Sequence, residues 1–352
     1  MLPVIHFIDS AQGSPYFESM GRWLDPDRFR STFLSIRRAG GLQKIALRYN
    51  FEAASLEVDS RRGMLLAMAR LRALWQRRRG AVVHAHTFEA GLVAALARPT
   101  GARLVYTRHH LDPHFRMGRP LHRLADRLTA ARASVVVTPA AAVREHLIAR
   151  EHVSPSKIVV IHNGIEDEAV PRRSLLAGVV LAVARLHEEK GIDLLLRAAV
   201  VVRRRVPELS LRIAGVGPDE AKLRALASEL GLSGCVEFLG FRRDVPQLLA
   251  EAAVFCLPSR SEALPVAVLE AMRAGTPVVA TAVGGVPEQL SGGAGWLVPP
   301  TAEELARALT EALGDPLRAG RAAVAARKQF ERGFTAARMV GSYAALYEKV
   351  AR

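Results

Sequence analysis

Two glutamates, Glu262 and Glu270, lie eight residues apart in the stretch LPSRSEALPVAVLEAMRAGTPVVATAVGG, residues 257–285. The apolar run ending at Leu257 predicts a strand that passes into Pro258 and Ser259, which places Glu262 in a loop at the strand's carboxyl end. Pro265 suits a first helical position, where its missing N–H has no helical partner. Good helix formers follow, so Glu270 falls inside a helix that Gly275 and Pro277 end. The amides of Ala263 and Leu264, at that helix's start, can receive an anion. Arg185 and Lys190, in AVARLHEEKGIDLLLRA, add two cations five residues apart after another strand. A planar guanidinium fork and a point-charge ammonium so placed can clamp a diphosphate leaving group. Glu188 and Glu189 lie between them and could pair with either, which leaves a plain solvated loop as the alternative. Together these groups suit a ligand with phosphates and hydroxyls: amides and cations for the former, carboxylates for the latter.

The elements that must hold these groups alternate along the chain. Apolar strands are expected near residues 4–8, 33–36, 82–84, 104–107, 135–138 and 158–161, with helices near 17–24, 64–79, 90–97, 121–133 and 140–150. The polar stretch 166–178, containing Pro171-Arg172-Arg173, predicts a linker. Strands near 179–184, 209–214, 236–239, 254–257, 277–281 and 295–298 then alternate with helices. Apolar strands alternating with helices predict α/β architecture with doubly wound parallel sheets, and the 352-residue length predicts two such domains.

Half the residues are apolar, and no run is long enough to cross a membrane, so a soluble globular chain is expected. The N-terminus MLPVIHFIDS lacks a basic region and reads as a first strand, not a signal peptide. Cys235 and Cys256, the only cysteines, give neither a disulfide framework nor a metal cluster and fit a reducing cytosol. The formal charge of +15 leans toward the N-terminal half. Anionic lipid, an acidic acceptor and an Arg-rich GC-rich proteome compete as its cause. The segment RMGRPLHRLADR, with Met117, Leu121, Leu124 and Leu128 at helical spacing, is read either as a helix packed on its own sheet or as a peripheral membrane contact. With 6 % aromatic residues and no recognition module, nucleic acid is not an expected partner.

Glu262-x7-Glu270, followed by Ala-Met-x-Ala-Gly-Thr-Pro-Val-Val-Ala and Gly-Gly, resembles the retaining glycosyltransferases of the GT-B fold, family 4. Arg185…Lys190-Gly191 is similar to the family's Arg…Lys-Gly motif. The resemblance implies two Rossmann-like domains facing across a cleft: 1–168 for the acceptor, 169–334 for the nucleotide-sugar, and a C-terminal helix over 335–352 returning toward the first. It implies a hexosyltransferase acting on a nucleotide-diphosphate sugar, UDP- or GDP-linked, and on a glycan, lipid-linked or small-molecule acceptor. Arg185 and Lys190 would stabilise the departing diphosphate, Glu262 would accept from sugar hydroxyls, and Glu270 from the ribose. Asn163, Gly217, Phe241, Arg242, Ala263 and Leu264 are implied on the donor side, with Gly13 in the loop where donor and acceptor approach. His109 matches a histidine near the transferred sugar; His86, His110 and Ser14 fall on the acceptor side. His110 stands where the family often has Asp, and Gly13-Ser14-Pro15 where it often has Gly-Gly.

No metal or other cofactor is expected, because the cation pair can supply the charge stabilisation. Asp25-Pro26-Asp27 spells Asp-x-Asp, but Pro26 favours a turn. The location implied is cytoplasmic, peripheral on the inner membrane face if the basic half meets lipid, in bacterial polysaccharide or glycolipid synthesis. The competing enzyme class is a GT-B epimerase or hydrolase of nucleotide-sugars.

Overall fold

The computed structural model describes residues 1–59, 63–111, 120–170 and 176–352. The chain divides into two compact units, Met1–Glu166 with Ala336–Arg352, and Asp167–Thr335.

The first unit holds β1 (Leu2–Ile8), β2 (Phe29–Ser35), β3 (Glu52–Ser55), β4 (Val82–Ala85), β5 (Arg103–Thr107), β6 (Val135–Thr138) and β7 (Ile158–Val160). They form one parallel sheet in the order β3-β2-β1-β4-β5-β6-β7. Alternate side chains enter opposite layers, so both faces must be apolar. Ile5 and Phe7 pack with residues of the helices Met64–Arg77, Phe88–Ala97, Pro120–Arg132 and Ala141–Glu151. Val4 packs on the other side with Pro15–Trp23, Gly41–Arg48 and the C-terminal helix Ala336–Ala351.

The second unit holds β8 (Leu176–Val183), β9 (Ser210–Ala214), β10 (Val236–Gly240), β11 (Ala252–Leu257), β12 (Val278–Thr281) and β13 (Trp296–Val298). Their order is β10-β9-β8-β11-β12-β13, again parallel. In both sheets the winding reverses at one point, between β1 and β4 and between β8 and β11. Ligands of such sheets sit outside the carboxyl ends of the strands at that switch point.

Three expectations are corrected. The helix Gly41–Arg48 and the edge strand β3 have no counterpart in the sequence reading. Glu166 is no free linker residue: it accepts from Ser19 Oγ at 2.9 Å, from Trp23 Nε1 at 3.0 Å and from Arg22 at 3.2 Å. Gly178 sits inside β8 with φ +73°. Pro171-Arg172-Arg173, Arg116 and Met117 lie outside the described residues, as does the side chain of Leu121. Among the described residues no helix is long and apolar enough to cross a membrane.

The first unit buries three imidazoles together, His6, His84 and His86. Burial pushes His6 down to about 3 and holds the other two well below the usual imidazole range. All three are therefore neutral near pH 7, whereas unfolded histidines protonate near 6.5. Because the folded values are the lower ones, stability is complete above about pH 6.5 and is lost as pH falls, by up to about 1.4 kcal/mol per unit per histidine. His6→Phe should flatten the acid decline of the melting temperature between about pH 7 and 5. Parallel declines in the variant and the parent would refute this account.

Candidate functional site

In the second unit the site is built from loops lying backbone to backbone at the carboxyl ends of β8, β11 and β12. Gly191 has φ +62°, and a Cβ there would overlap the Pro258 carbonyl. Gly284 has φ +53°, and a Cβ there would overlap the Glu262 carbonyl. Only glycine tolerates both the backbone angle and the approach. Gly285 N donates to Ala263 O at 2.8 Å, fixing the loop of β12 to that of β11.

These approaches bring two of the expected residues into contact. Lys190 Nζ donates to Glu262 Oε1 at 2.7 Å, with side-chain exposures of 17 % and 8 %. Ser259 Oγ donates to the same oxygen at 2.7 Å, and Thr281 Oγ1 donates to Ser259 O at 2.5 Å. Arg185 is 53 % exposed and donates to Glu189 Oε1 at 3.1 Å. One expected cation therefore engages the expected carboxylate, and the other engages a neighbour on its own loop. Gly217 lies against the Leu186 carbonyl, and Leu186 N donates to Val216 O at 3.0 Å, so the loop after β9 abuts the Arg185 loop.

Glu270 is half-buried in the helix Val266–Ala274, and burial raises its carboxyl above the usual range against the pull of Arg273. The helix starts one residue later than the sequence predicts. Pro265 is the N-cap, so the amides of Ala263 and Leu264 stand one residue further from the first turn than expected. A proline at the cap closes no turn of its own, and Gln289 Nε2 secures its carbonyl at 3.0 Å. Phe241 is 70 % exposed beyond β10, and Arg242 is held by Asp244, Nε to Oδ1 at 2.8 Å.

No motif pointed to Arg260. Its guanidinium grips both Asp193 oxygens at 2.7 and 2.6 Å and the Glu188 carbonyl at 2.9 Å, while its amide donates to Glu189 O at 2.8 Å. It thus ties the loop carrying Glu262 to the loop carrying Lys190. Neither Ser259 nor the Arg260–Asp193 pair carries a role in the sequence reading, although Ser259 lies only three residues before Glu262.

In the first unit Ser14 caps the helix Pro15–Trp23, its Oγ accepting from Phe17 N at 3.5 Å. Gly13 lies against Gly41. The helix sets Tyr16 edge-on to both His86 and His109, at 5.3 and 5.5 Å between ring centres. His86 and His109 are 6.1 Å apart. Burial pushes His109 down to about 4, with His110 adding to the shift. The strand end that leads to His109 is anchored by Arg108, buried between Asp126 at 3.0 Å and Glu151 at 2.7 Å. His110 is exposed, and Asn163 precedes Gly164, whose amide meets Met339 Sδ at 3.2 Å. Tyr16 is the residue here that motif reasoning passed over.

Asp25 and Asp27 form a turn, Asp27 N donating to Asp25 Oδ1 at 2.8 Å. Among the described residues the one group of three potential metal ligands is His6, His84 and His86. Both ring nitrogens of His84 are already engaged, by Tyr347 Oη and Thr107 Oγ1, each at 2.6 Å.

Two Rossmann-like units, with candidate residues beside the switch point of each sheet, define a GT-B protein. The chain belongs to the family 4, or group 1, glycosyltransferases. The family described as Glycosyltransferase Family 4 matches residues 16–169, and Glycosyl transferases group 1 matches 169–329. The D-inositol 3-phosphate glycosyltransferase of Corynebacterium aurimucosum is 30 % identical over 299 residues, 75 % of this chain and 71 % of that one. A putative colanic acid biosynthesis glycosyltransferase, WcaL of Salmonella typhimurium, is 37 % identical over 171 residues, 45 % of this chain and 42 % of its own. Against WcaL and the D-inositol 3-phosphate glycosyltransferase of Mycobacterium sp. strain JLS, the chain spans 42 % and 52 % of the relative's length. Anabaena Alr3699/HepE in complex with UDP superposes with TM-score 0.83 at 22 % identity, over 99 % of this chain and 100 % of that one.

Arg260→Ala should lower kcat/KM about tenfold by loosening the Lys190–Glu262 geometry. The melting temperature should move little, because a pair about one-third exposed contributes under about 1 kcal/mol. Asp193→Asn should do the same; unchanged turnover in both would remove the clamp from the account.

Proposed function

We propose that this chain transfers a sugar from a nucleotide-diphosphate sugar, UDP- or GDP-linked, with retention of anomeric configuration and without a metal. The observation that carries the reading is the 2.7 Å contact of Lys190 Nζ with Glu262 Oε1, on the two loops that flank the switch point of the second sheet, with Arg185 on the Lys190 loop. The HepE complexes with UDP and with UDP-glucose support the choice of ligand class.

The donor's diphosphate meets Lys190 and Arg185, whose charge stabilises the negative charge that grows as the glycosidic bond breaks. Lys190 exchanges part of its hold on Glu262 for phosphate oxygen, and Glu262 turns its freed lone pairs to sugar hydroxyls. Glu270 accepts from the ribose, with Gly217, Phe241, Arg242 and the segment Ala263–Leu264 around the nucleotide. His109, neutral well above its value of about 4, serves as a hydrogen-bonding group rather than an acid. His86, His110 and Ser14 belong to the acceptor side, and Gly13 to the loop where acceptor and donor approach. The acceptor is a glycan, a lipid-linked sugar or a small hydroxylated molecule. The two free thiols, Cys235 and Cys256, suit a cytoplasmic setting.

Thermal-shift titration with UDP, GDP, ADP and their sugar conjugates, with and without magnesium, tests the reading. One nucleoside diphosphate should stabilise the protein equally in both conditions, and Glu270→Ala should abolish the shift. Lys190→Ala should keep most nucleotide binding yet lower turnover by about 10²-fold or more. Nucleotide affinity should weaken on acidification sooner than for an ordinary carboxylate, since the Glu270 value is raised, and Glu270→Gln should flatten that limb. A magnesium-dependent shift, or a product of inverted configuration by NMR, would overturn the proposal.

A further inference from the structure

Three imidazoles meet on one face of the first unit's sheet. His6 and His84 are register partners on the adjacent parallel strands β1 and β4. His86 lies two residues beyond His84, where alternation returns the side chain to the same face. All three are buried, at 0, 0 and 2 % exposure. The ring centres of His6 and His84 are 6.0 Å apart, those of His6 and His86 5.7 Å, and those of His84 and His86 3.8 Å. One ring nitrogen of each lies within 4.8 Å of the other two.

Hydrogen bonding accounts for one ring only. His84 meets Tyr347 Oη and Thr107 Oγ1, each at 2.6 Å. Neither ring nitrogen of His6, and neither of His86, has a hydrogen-bond partner among the described residues. Phe33 lies 5.0 Å from His6 and Phe17 5.0 Å from His86, ring centre to ring centre, and neither phenyl ring offers a donor or a lone pair. Buried polar atoms are ordinarily paired, so four orphaned nitrogens at one point in a core call for a ligand. Each neutral imidazole keeps one lone pair for it.

We propose that His6, His84 and His86 bind one divalent transition-metal ion of the zinc class. The set offers nitrogen only, which suits zinc and disfavours magnesium and calcium, ions that take oxygen. Three nitrogens on a tetrahedral zinc lie about 3.4 Å apart, so small ring rotations close the remaining gap of up to about 1.4 Å. His84 gives up one of its hydroxyl partners, and the other holds its ring as the groups behind metal-bound imidazoles do. A fourth position stays open to water. Ligands on two neighbouring strands make the ion a brace between β1 and β4, and their burial couples its entry to folding. The inference goes beyond the donor reading, whose groups belong to the second unit. The magnesium arm of that test is blind to an all-nitrogen site, and the present test reads metal content without turnover.

The full chain, without a polyhistidine tag, is expressed in medium containing added zinc, passed over chelating resin and assayed for metal by mass spectrometry. It should retain about one zinc per chain and melt higher than the chain from zinc-free medium. His6→Phe and His86→Gln should each lower zinc affinity about a hundredfold or more and emerge from the resin without metal. His152→Asn, at an exposed histidine of the same unit with φ +58°, should keep its zinc. Should neither site variant fold, judged by its melting curve, the parent grown in cobalt(II) decides: the intense visible absorption of a tetrahedral ion is expected, and the weak absorption of an octahedral one overturns the assignment. No zinc on the parent after the resin, or zinc retained alike by the parent and a folded site variant, would also overturn it.

Discussion

The site of the second unit depends on one steric condition, that backbone segments from different strands lie in direct contact. Gly191 against Pro258 and Gly284 against Glu262 allow no side chain at either crossing. Because the loops touch through main-chain atoms, the positions of Lys190 and Glu262 follow from the sheet rather than from flexible side chains. The strands β8 and β11 are adjacent and parallel, so their carboxyl ends deliver both loops to the same edge. Arg260 then ties one loop to the other through Asp193, and Thr281 ties the second loop to β12. A cation and a carboxylate thus face each other with little conformational freedom left to lose on binding.

This explains how an ion pair can be both formed and usable. Glu262 is buried, and a buried carboxylate without partners would be costly. Lys190 and the Ser259 hydroxyl satisfy it through a single oxygen, Oε1. Arg185 stands on the same loop, more than half exposed, with the neighbouring Glu189 as its ion-pair partner among the described residues. Exchange of that solvated pairing for a phosphate costs little, because exposed pairs contribute at most about 1 kcal/mol. The site therefore contains one cation fixed by the fold and one that is free to reorient.

The sequence made the central features legible because they rest on local signals. Apolar runs located the inner strands, and glycines with prolines marked the loops at their ends. It missed β3 because Glu-Ala-Ala-Ser carries no alternation, and the helix Gly41–Arg48 because it is only eight residues long and its cap signal, Gly40 with Gln43 three residues on, is weak beside a Ser, Thr or Asp cap. It assigned Glu166 to a linker because polarity alone marked the stretch, while its three partners, Ser19, Arg22 and Trp23, lie more than 140 residues earlier. Arg260–Asp193 is invisible for the same reason: 67 residues separate two groups that only the pairing of β8 with β11 brings together. Motif residues were readable one by one; what positions them was not.

The two units also differ in electrostatic kind. The loops of the second gather Lys190, Arg185, Glu262 and Glu270, formal charges held by hydrogen bonds or moderated by burial. The strand ends of the first gather His6, His84, His86, His109 and Tyr16, which burial keeps uncharged. A neutral imidazole beside a tyrosine can orient a hydroxyl but cannot stabilise a developing anion as a lysine can. The groups gathered in the first unit can therefore orient a hydroxyl, whereas those gathered in the second can also stabilise charge. In the cluster around His6 burial disfavours the charged imidazole, whereas the equally buried Arg108 keeps its charge because Asp126 and Glu151 pair with it.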